Sequence, residues 1–137
     1  MDLVVLEPGV QGLGEMLAEL VRSNLAREPE RAELLRGRVS RVNVRASDAD
    51  MVAGLMVGAG RFRVLPSSLP SPDLDIATDS ATLMELSSVP LRFGLPDVAT
   101  QAGRAITAKL VRGELRVRGM LLRLPLLSRV NRLISVL

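Results

Sequence analysis

Four groups of residues in this chain have types and spacings that could do chemistry. Gly58-Ala59-Gly60 could cradle a phosphate on its backbone N–H groups. It lacks the third glycine and the strand-to-helix setting of a dinucleotide fingerprint, so a hairpin turn is the better reading. Asp73 and Asp75 lie two apart, share one face of an extended segment and could hold a hard cation; the solvated side of a strand has the same pattern. Ser67, Ser68 and Ser71 are potential nucleophiles, and Lys109, the only lysine, could activate one of them, but nothing in the sequence brings them together. Arg41 and Arg45, Arg61 and Arg63, and Arg116 and Arg118 fall on the polar sides of three alternating segments and could make one sheet face basic.

What is missing narrows the chemistry further. The chain has no histidine and no cysteine, so the commonest general base, the commonest transition-metal ligand and all thiol chemistry are gone. The expectation is a protein that is not an enzyme, with no catalytic residue, no metal and no cofactor. Nucleic acid fits poorly as well. Single-strand binders stack bases on aromatic side chains, and this chain has two phenylalanines, no tyrosine and no tryptophan.

Net charge is +3, unevenly spread. Residues 1–97 carry 10 basic and 14 acidic side chains, a net of −4, and residues 98–137 carry 8 basic and 1 acidic, a net of +7. The preference for arginine over lysine is read as genome composition, of the kind GC-rich bacteria have. The start, Met1-Asp-Leu, has no basic run before an apolar one, and the longest uncharged stretch, Met51 to Gly60, is far short of the roughly 20 residues a membrane span needs. The expected location is the cytoplasm.

The elements that must position any site follow from periodicity. Leu3 to Leu6 is a short apolar run closed by Glu7-Pro8-Gly9. Val10, Leu13, Leu17, Leu20, Val21 and Leu25 form one helical stripe. Pro29 opens a second short helix with Leu34 and Leu35 inward, and Gly37 ends it. The period then changes to two. Val42, Val44 and Ala46, then Met51 to Val57, then Arg61 to Leu65 read as an antiparallel meander. Three prolines make residues 66–72 a loop. Leu74 and Ile76 face inward on a fourth strand, and Asp79 or Ser80 caps a helix carrying Leu83, Met84 and Leu86. Val89 to Pro96 is irregular. Asp97 caps a helix bearing Val98, Ala102, Ala105, Ile106 and Leu110. Gly113 and Gly119 bracket a fifth strand with Leu115 and Val117 inward. A last helix, 125–137, carries Leu126, Leu127, Val130, Leu133, Ile134 and Leu137 on one stripe, with Pro125 in its first turn. With 47% hydrophobic residues and almost no aromatics, the interior is leucine, valine, methionine and alanine, which fill space loosely and favour a core with a hollow.

Two stretches resemble a known family. Asp73-Leu-Asp-Ile-Ala-Thr-Asp-Ser-Ala-Thr-Leu-Met-Glu-Leu86 is similar to the acidic strand and Asp-capped, leucine-rich helix of sterol carrier protein 2-like domains. Ala108-Lys-Leu-Val-Arg-Gly-Glu-Leu-Arg-Val-Arg-Gly119, with the leucine-rich helix after it, resembles their last strand and C-terminal helix. The resemblance covers roughly residues 10–137 and implies one α+β domain over residues 1–137. Its five-stranded, mainly antiparallel sheet would be covered on one face by about five helices and enclose an apolar cavity. The implied activity is non-catalytic binding and transfer of a hydrophobic lipid: a fatty acid, acyl-CoA, sterol or isoprenoid quinone. The competing expectation is an accessory subunit of the same fold that supports a lipid or quinone biosynthetic enzyme.

On that resemblance, the expected cavity lining is Met51, Leu55, Leu83, Met84, Leu86, Ile106, Leu110, Leu115, Leu121, Leu126, Val130 and Leu133. The expected headgroup contacts are Arg123, Arg129 and Arg132, which lie off the stripe of the last helix. The expected partners are the lipid, a transient anionic membrane contact, and a protein partner or second copy of the chain, with no nucleic acid. Two readings of the last helix stand side by side: a gate that swings out at a membrane, and a plain core helix.

Overall fold

Alternation of apolar and polar residues from Ser40 onward builds the centre of the molecule. In the computed structural model, which describes residues 2–137, β1 (Val4–Leu6) is followed by α1 (Leu13–Arg27) and a 3₁₀ turn (Pro29–Leu35). The meander follows as β2 (Ser40–Ala46), β3 (Met51–Gly58) and β4 (Arg61–Leu65). Then come β5 (Leu74–Thr78), α2 (Ser80–Ser88), a small hairpin of β6 (Leu91–Arg92) and β7 (Leu95–Pro96), α3 (Gln101–Val111), β8 (Arg116–Arg118) and α4 (Leu124–Ile134). The main sheet runs β1-β4-β3-β2-β5-β8.

The class is α+β as expected, with two corrections to the sheet. It has six strands, because Val4–Leu6 pairs with Phe62–Val64 at one edge. It is mixed, because β1/β4 and β2/β5 are parallel while β2/β3, β3/β4 and β5/β8 are antiparallel. The proline loop is the cause of the parallel β2/β5 pair. After β4 the chain crosses the outer face of the sheet and enters β5 on the far side of β2. The crossing is pinned by Asn43, whose amide donates to the Leu69 carbonyl at 3.1 Å and whose oxygen accepts from the Leu69 N–H at 2.7 Å. Gly54, paired with Asn43, clears the way: a Cβ there would lie 2.5 Å from the Ser67 carbonyl oxygen.

The inner face holds the core. Val42, Val44, Ala46, Ala53, Leu55, Val57, Phe62, Val64, Leu74 and Ile76 are all buried. Against it lies α1, whose Leu13, Leu17, Ala18 and Val21 are buried in turn. Packed on α1, α2 and the 3₁₀ turn is α4, with Leu126, Leu127, Val130, Leu133 and Ile134 inside. Each such side chain is worth about 1.5–3 kcal/mol of burial.

Helix ends differ from the expectation at two places. Thr100, not Asp97, caps α3, accepting from the Gly103 N–H at 3.0 Å. Asp97 closes a turn of its own by accepting from the Ala99 N–H at 2.9 Å, which leaves Val98 exposed. At the C-terminus α4 stops at Ile134, and the last three residues run on in non-helical conformation. Of the two caps read from the sequence, Asp79 and Ser80, it is Asp79 that caps α2, accepting from the Thr82 N–H at 2.7 Å.

Candidate functional site

The irregular segment 89–96 turns out to build a wall. Phe93 and Gly94 form the tip of the β6–β7 hairpin, and α4 holds it: Ser128 donates to the Phe93 carbonyl at 3.0 Å and the buried Asn131 donates to the Gly94 carbonyl at 3.0 Å. Gly94 has φ +77°, and a Cβ on it would meet the Ser128 hydroxyl at 1.8 Å, so only glycine permits this docking. The hairpin thereby fixes Leu95 and Pro96 opposite α3.

Between these elements lies an apolar pocket of about 240 Å³. Its floor is Ile76 of β5 with Leu115 and Val117 at β8. Its walls are Leu86 of α2, Leu95 and Pro96, Ile106, Thr107 and Leu110 of α3, and Leu124, Leu127 and Asn131 of α4; Met120 completes the lining from the turn before α4. Eleven of these thirteen side chains are apolar and none is charged. Both polar ones are engaged, since Thr107 donates to the Gly103 carbonyl at 2.9 Å and Asn131 to Gly94. Chemically, such a site can exclude water from hydrocarbon and leave any charged end of a ligand at the mouth.

The expected lining residues fall into four sets. Leu86, Ile106, Leu110 and Leu115 share this pocket. Met51, Leu83 and Met84 line a separate depression of about 220 Å³ near the start of α1. Leu55, Leu126, Val130 and Leu133 are buried in the core, and Leu121 is 84% exposed. Among the arginines, Arg123 lies 3.6 Å from Asp73, Arg132 is exposed, and Arg129 keeps Nε and Nη2 buried with no acceptor among the described residues. The residues that sequence reasoning did not assign to the lining include Leu95, Pro96, Met120, Leu124 and Asn131. One signal was there: Leu124, Leu127 and Asn131 stand at helical spacing on one face, and a lone asparagine on an apolar stripe marks a buried amide with a task.

The C-terminal end of α4 is tied down. Asn24 donates to the Leu133 carbonyl at 2.8 Å, Arg31 to the carbonyls of Arg132 and Leu137 at 2.9 and 3.0 Å, and the Val136 N–H to Ser87 at 2.7 Å. These contacts favour the core-helix reading of α4 over the gate.

The other chemical candidates resolve into structural roles. Lys109 donates to the Thr82 hydroxyl at 2.8 Å and sits 3.2 Å from Glu85, joining α3 to α2. Asp75 pairs with Arg45 at 3.2 Å, and Asp73 accepts from the Arg41 N–H at 2.9 Å. Gly58 and Gly60 frame the β3–β4 turn, with Ala59 between them at φ +53°. No three acidic side chains among the described residues come together as a metal site, and no helix among them is long and apolar enough to cross a membrane.

A helix-covered sheet with an apolar pocket between sheet and helices is the sterol carrier protein 2-like fold, and this chain has it. No family model matches the sequence, and no curated protein matches it. Solved structures do. One described as a UbiJ-SCP2 ubiquinone synthesis protein is similar over 89% of this chain and 92% of its own, with a TM-score of 0.59 and 18% identity. The sec-alkylsulfatase Pisa1 from Pseudomonas sp. is similar over 77% of this chain but only 14% of its own length, with a TM-score of 0.53 and 18% identity. A conserved hypothetical protein of Thermus thermophilus, described as possibly a sterol carrier protein, aligns over 94% of this chain with a TM-score of 0.44.

Proposed function

We propose that this protein binds the hydrocarbon part of a lipid in the pocket between β5, β8, α3 and α4, carries it without catalysis, and gives it up again. The observation that supports this is the lining itself: eleven apolar side chains, two satisfied polar ones and no charge around 240 Å³. Size ranks the candidate ligands. The volume exceeds the roughly 150 Å³ that holds a benzene molecule and falls short of the roughly 300–1,000 Å³ of drug-sized sites. A flexible fatty acyl or isoprenoid chain entering end-on fits; a rigid four-ring sterol needs the pocket to widen. Native mass spectrometry of freshly purified protein, with displacement of a fluorescent fatty acid, tests the reading. Co-purified lipid and micromolar displacement are expected. Lipid-free protein that binds no acyl chain, sterol or quinone overturns it.

A second reading is an accessory subunit of quinone biosynthesis, favoured by the likeness to a ubiquinone synthesis protein. It requires a protein partner, so a stable complex with a quinone-biosynthetic enzyme, which the first reading does not need, separates the two.

A further inference from the structure

The mouth of the pocket has an unusual surface. Met120 and Leu124 line the pocket, and between them Leu121 and Leu122 stand 84% and 86% exposed. Val111, next to the lining residue Leu110, is 81% exposed. Water contact on two adjacent leucines is unfavourable, and the fold enforces it. Gly119 (φ +84°) turns the chain sharply out of β8, and a Cβ there would lie 2.3 Å from the Asp73 carbonyl oxygen. The Arg123 N–H then closes the turn onto the Gly119 carbonyl at 2.9 Å.

Charge flanks the leucines along the chain. Arg116 and Arg118 are exposed on β8, the edge strand of the sheet, and form no ion pair among the described residues. They share a depression of about 270 Å³ on the outer face with Arg45 and Asp75. Arg123 follows the leucines directly. The segment 116–123 therefore carries two bare leucines between arginines: Arg116 and Arg118 on one side, and on the other Arg123, which lies 3.6 Å from Asp73.

Two side chains are far too small a patch for a stable protein interface, which needs about 800 Å² per partner. They suit the boundary of a bilayer, where short apolar side chains enter the acyl region and arginines meet phosphates. Resting on the proposed lipid reading, we infer that the 116–123 edge is a docking surface for an anionic membrane, and that it sets the pocket mouth against the bilayer so that a lipid tail passes between them without crossing water.

The chain has no tryptophan, so Leu122→Trp gives a single reporter at the surface in question. It is titrated with vesicles of phosphatidylcholine alone and of phosphatidylcholine and phosphatidylglycerol in equal parts. Blue-shifted emission is expected with the anionic vesicles only, weakening as salt screens the arginines. In co-sedimentation, Leu121→Ser with Leu122→Ser should weaken binding about tenfold or more, and Arg116→Glu with Arg118→Glu should weaken it roughly fivefold or more per arginine. Both positions of the leucine pair are exposed, so the fold and the displacement of a fluorescent fatty acid in solution should be unchanged. Equal binding to both vesicle types, an unshifted emission from the introduced tryptophan, or sedimentation indifferent to the leucine pair overturns the inference. The two proposals fail separately: a protein that binds fatty acid in solution but ignores vesicles refutes docking alone, whereas vesicle binding without any fatty-acid binding refutes the lipid pocket alone.

Discussion

The volume of the pocket sets a limit on chain length. A methylene takes about the space of a water molecule, roughly 30 Å³, so 240 Å³ accepts about eight of them. Each methylene transferred from water is worth about 0.8 kcal/mol, or close to fourfold in affinity at room temperature. For straight-chain carboxylates from hexanoate to palmitate, displacement of a fluorescent fatty acid should therefore tighten about fourfold per carbon up to about eight buried carbons and then level off. Each carbon short of that limit forgoes part of the full gain of about 6 kcal/mol, so short chains should bind weakly. Val117→Phe places four more carbon atoms in the floor, beside Ile76 across the β5–β8 pair. It should move the break to shorter chains while leaving the initial slope unchanged. Affinity that does not rise between hexanoate and octanoate refutes the tail-binding reading. A slope that continues unbroken to palmitate refutes a pocket of fixed volume and points to widening at Met120–Leu124.

Two further outcomes test the frame around the pocket. Asn43→Ala removes both bonds to Leu69 from a residue that is 1% exposed and strands the Leu69 N–H and carbonyl under the crossing loop, so urea unfolding should show a loss of about 1–3 kcal/mol. The start of α2 should fail in acid. The Thr82 hydroxyl and N–H hold the Asp79 carboxyl below its ordinary range, and the Ser80 N–H and hydroxyl do the same for Asp48; with unfolded values near 3.9, their contribution is complete above about pH 4 and is lost as pH falls through the lower folded values. Thermal melts should drop below pH 4, and Asp48→Asn with Asp79→Asn should lower the melting temperature at pH 6 while flattening that acid limb.

Most of the framework was legible because it rests on local patterning. The α1 stripe, the meander, the Asp79 cap and the strand pair Leu74 and Ile76 each follow from a few neighbouring residues and are found where periodicity puts them. What was not legible depends on partners distant in sequence. Nothing in Leu3 to Leu6 announces that it will lie beside Phe62–Val64, and three prolines say that residues 66–72 are irregular without saying that they cross the sheet. The parallel β2/β5 pair follows from that crossing alone. Asn43 reads as a polar-face residue by alternation, yet it is buried, because the polar face is covered at its centre by the same loop.

An apolar hollow was legible from composition, its place less so. Apolar surplus and scarce aromatics point to a hollow in the core, and Leu115 and Val117, at β8, do line one. The longest stripe drew the expected lining to Leu126, Val130 and Leu133, but that side of α4 faces the core beside α1, and the pocket takes the neighbouring stripe of Leu124, Leu127 and Asn131. A helix buried on a wide arc must serve two neighbours, and hydrophobicity alone does not say which stripe meets a filled space and which a hollow one. The deciding residue is the one that breaks the pattern. Asn131 binds the Gly94 carbonyl and docks the tip of the 89–96 hairpin on α4, which sets Leu95 and Pro96 in place as one wall of the pocket.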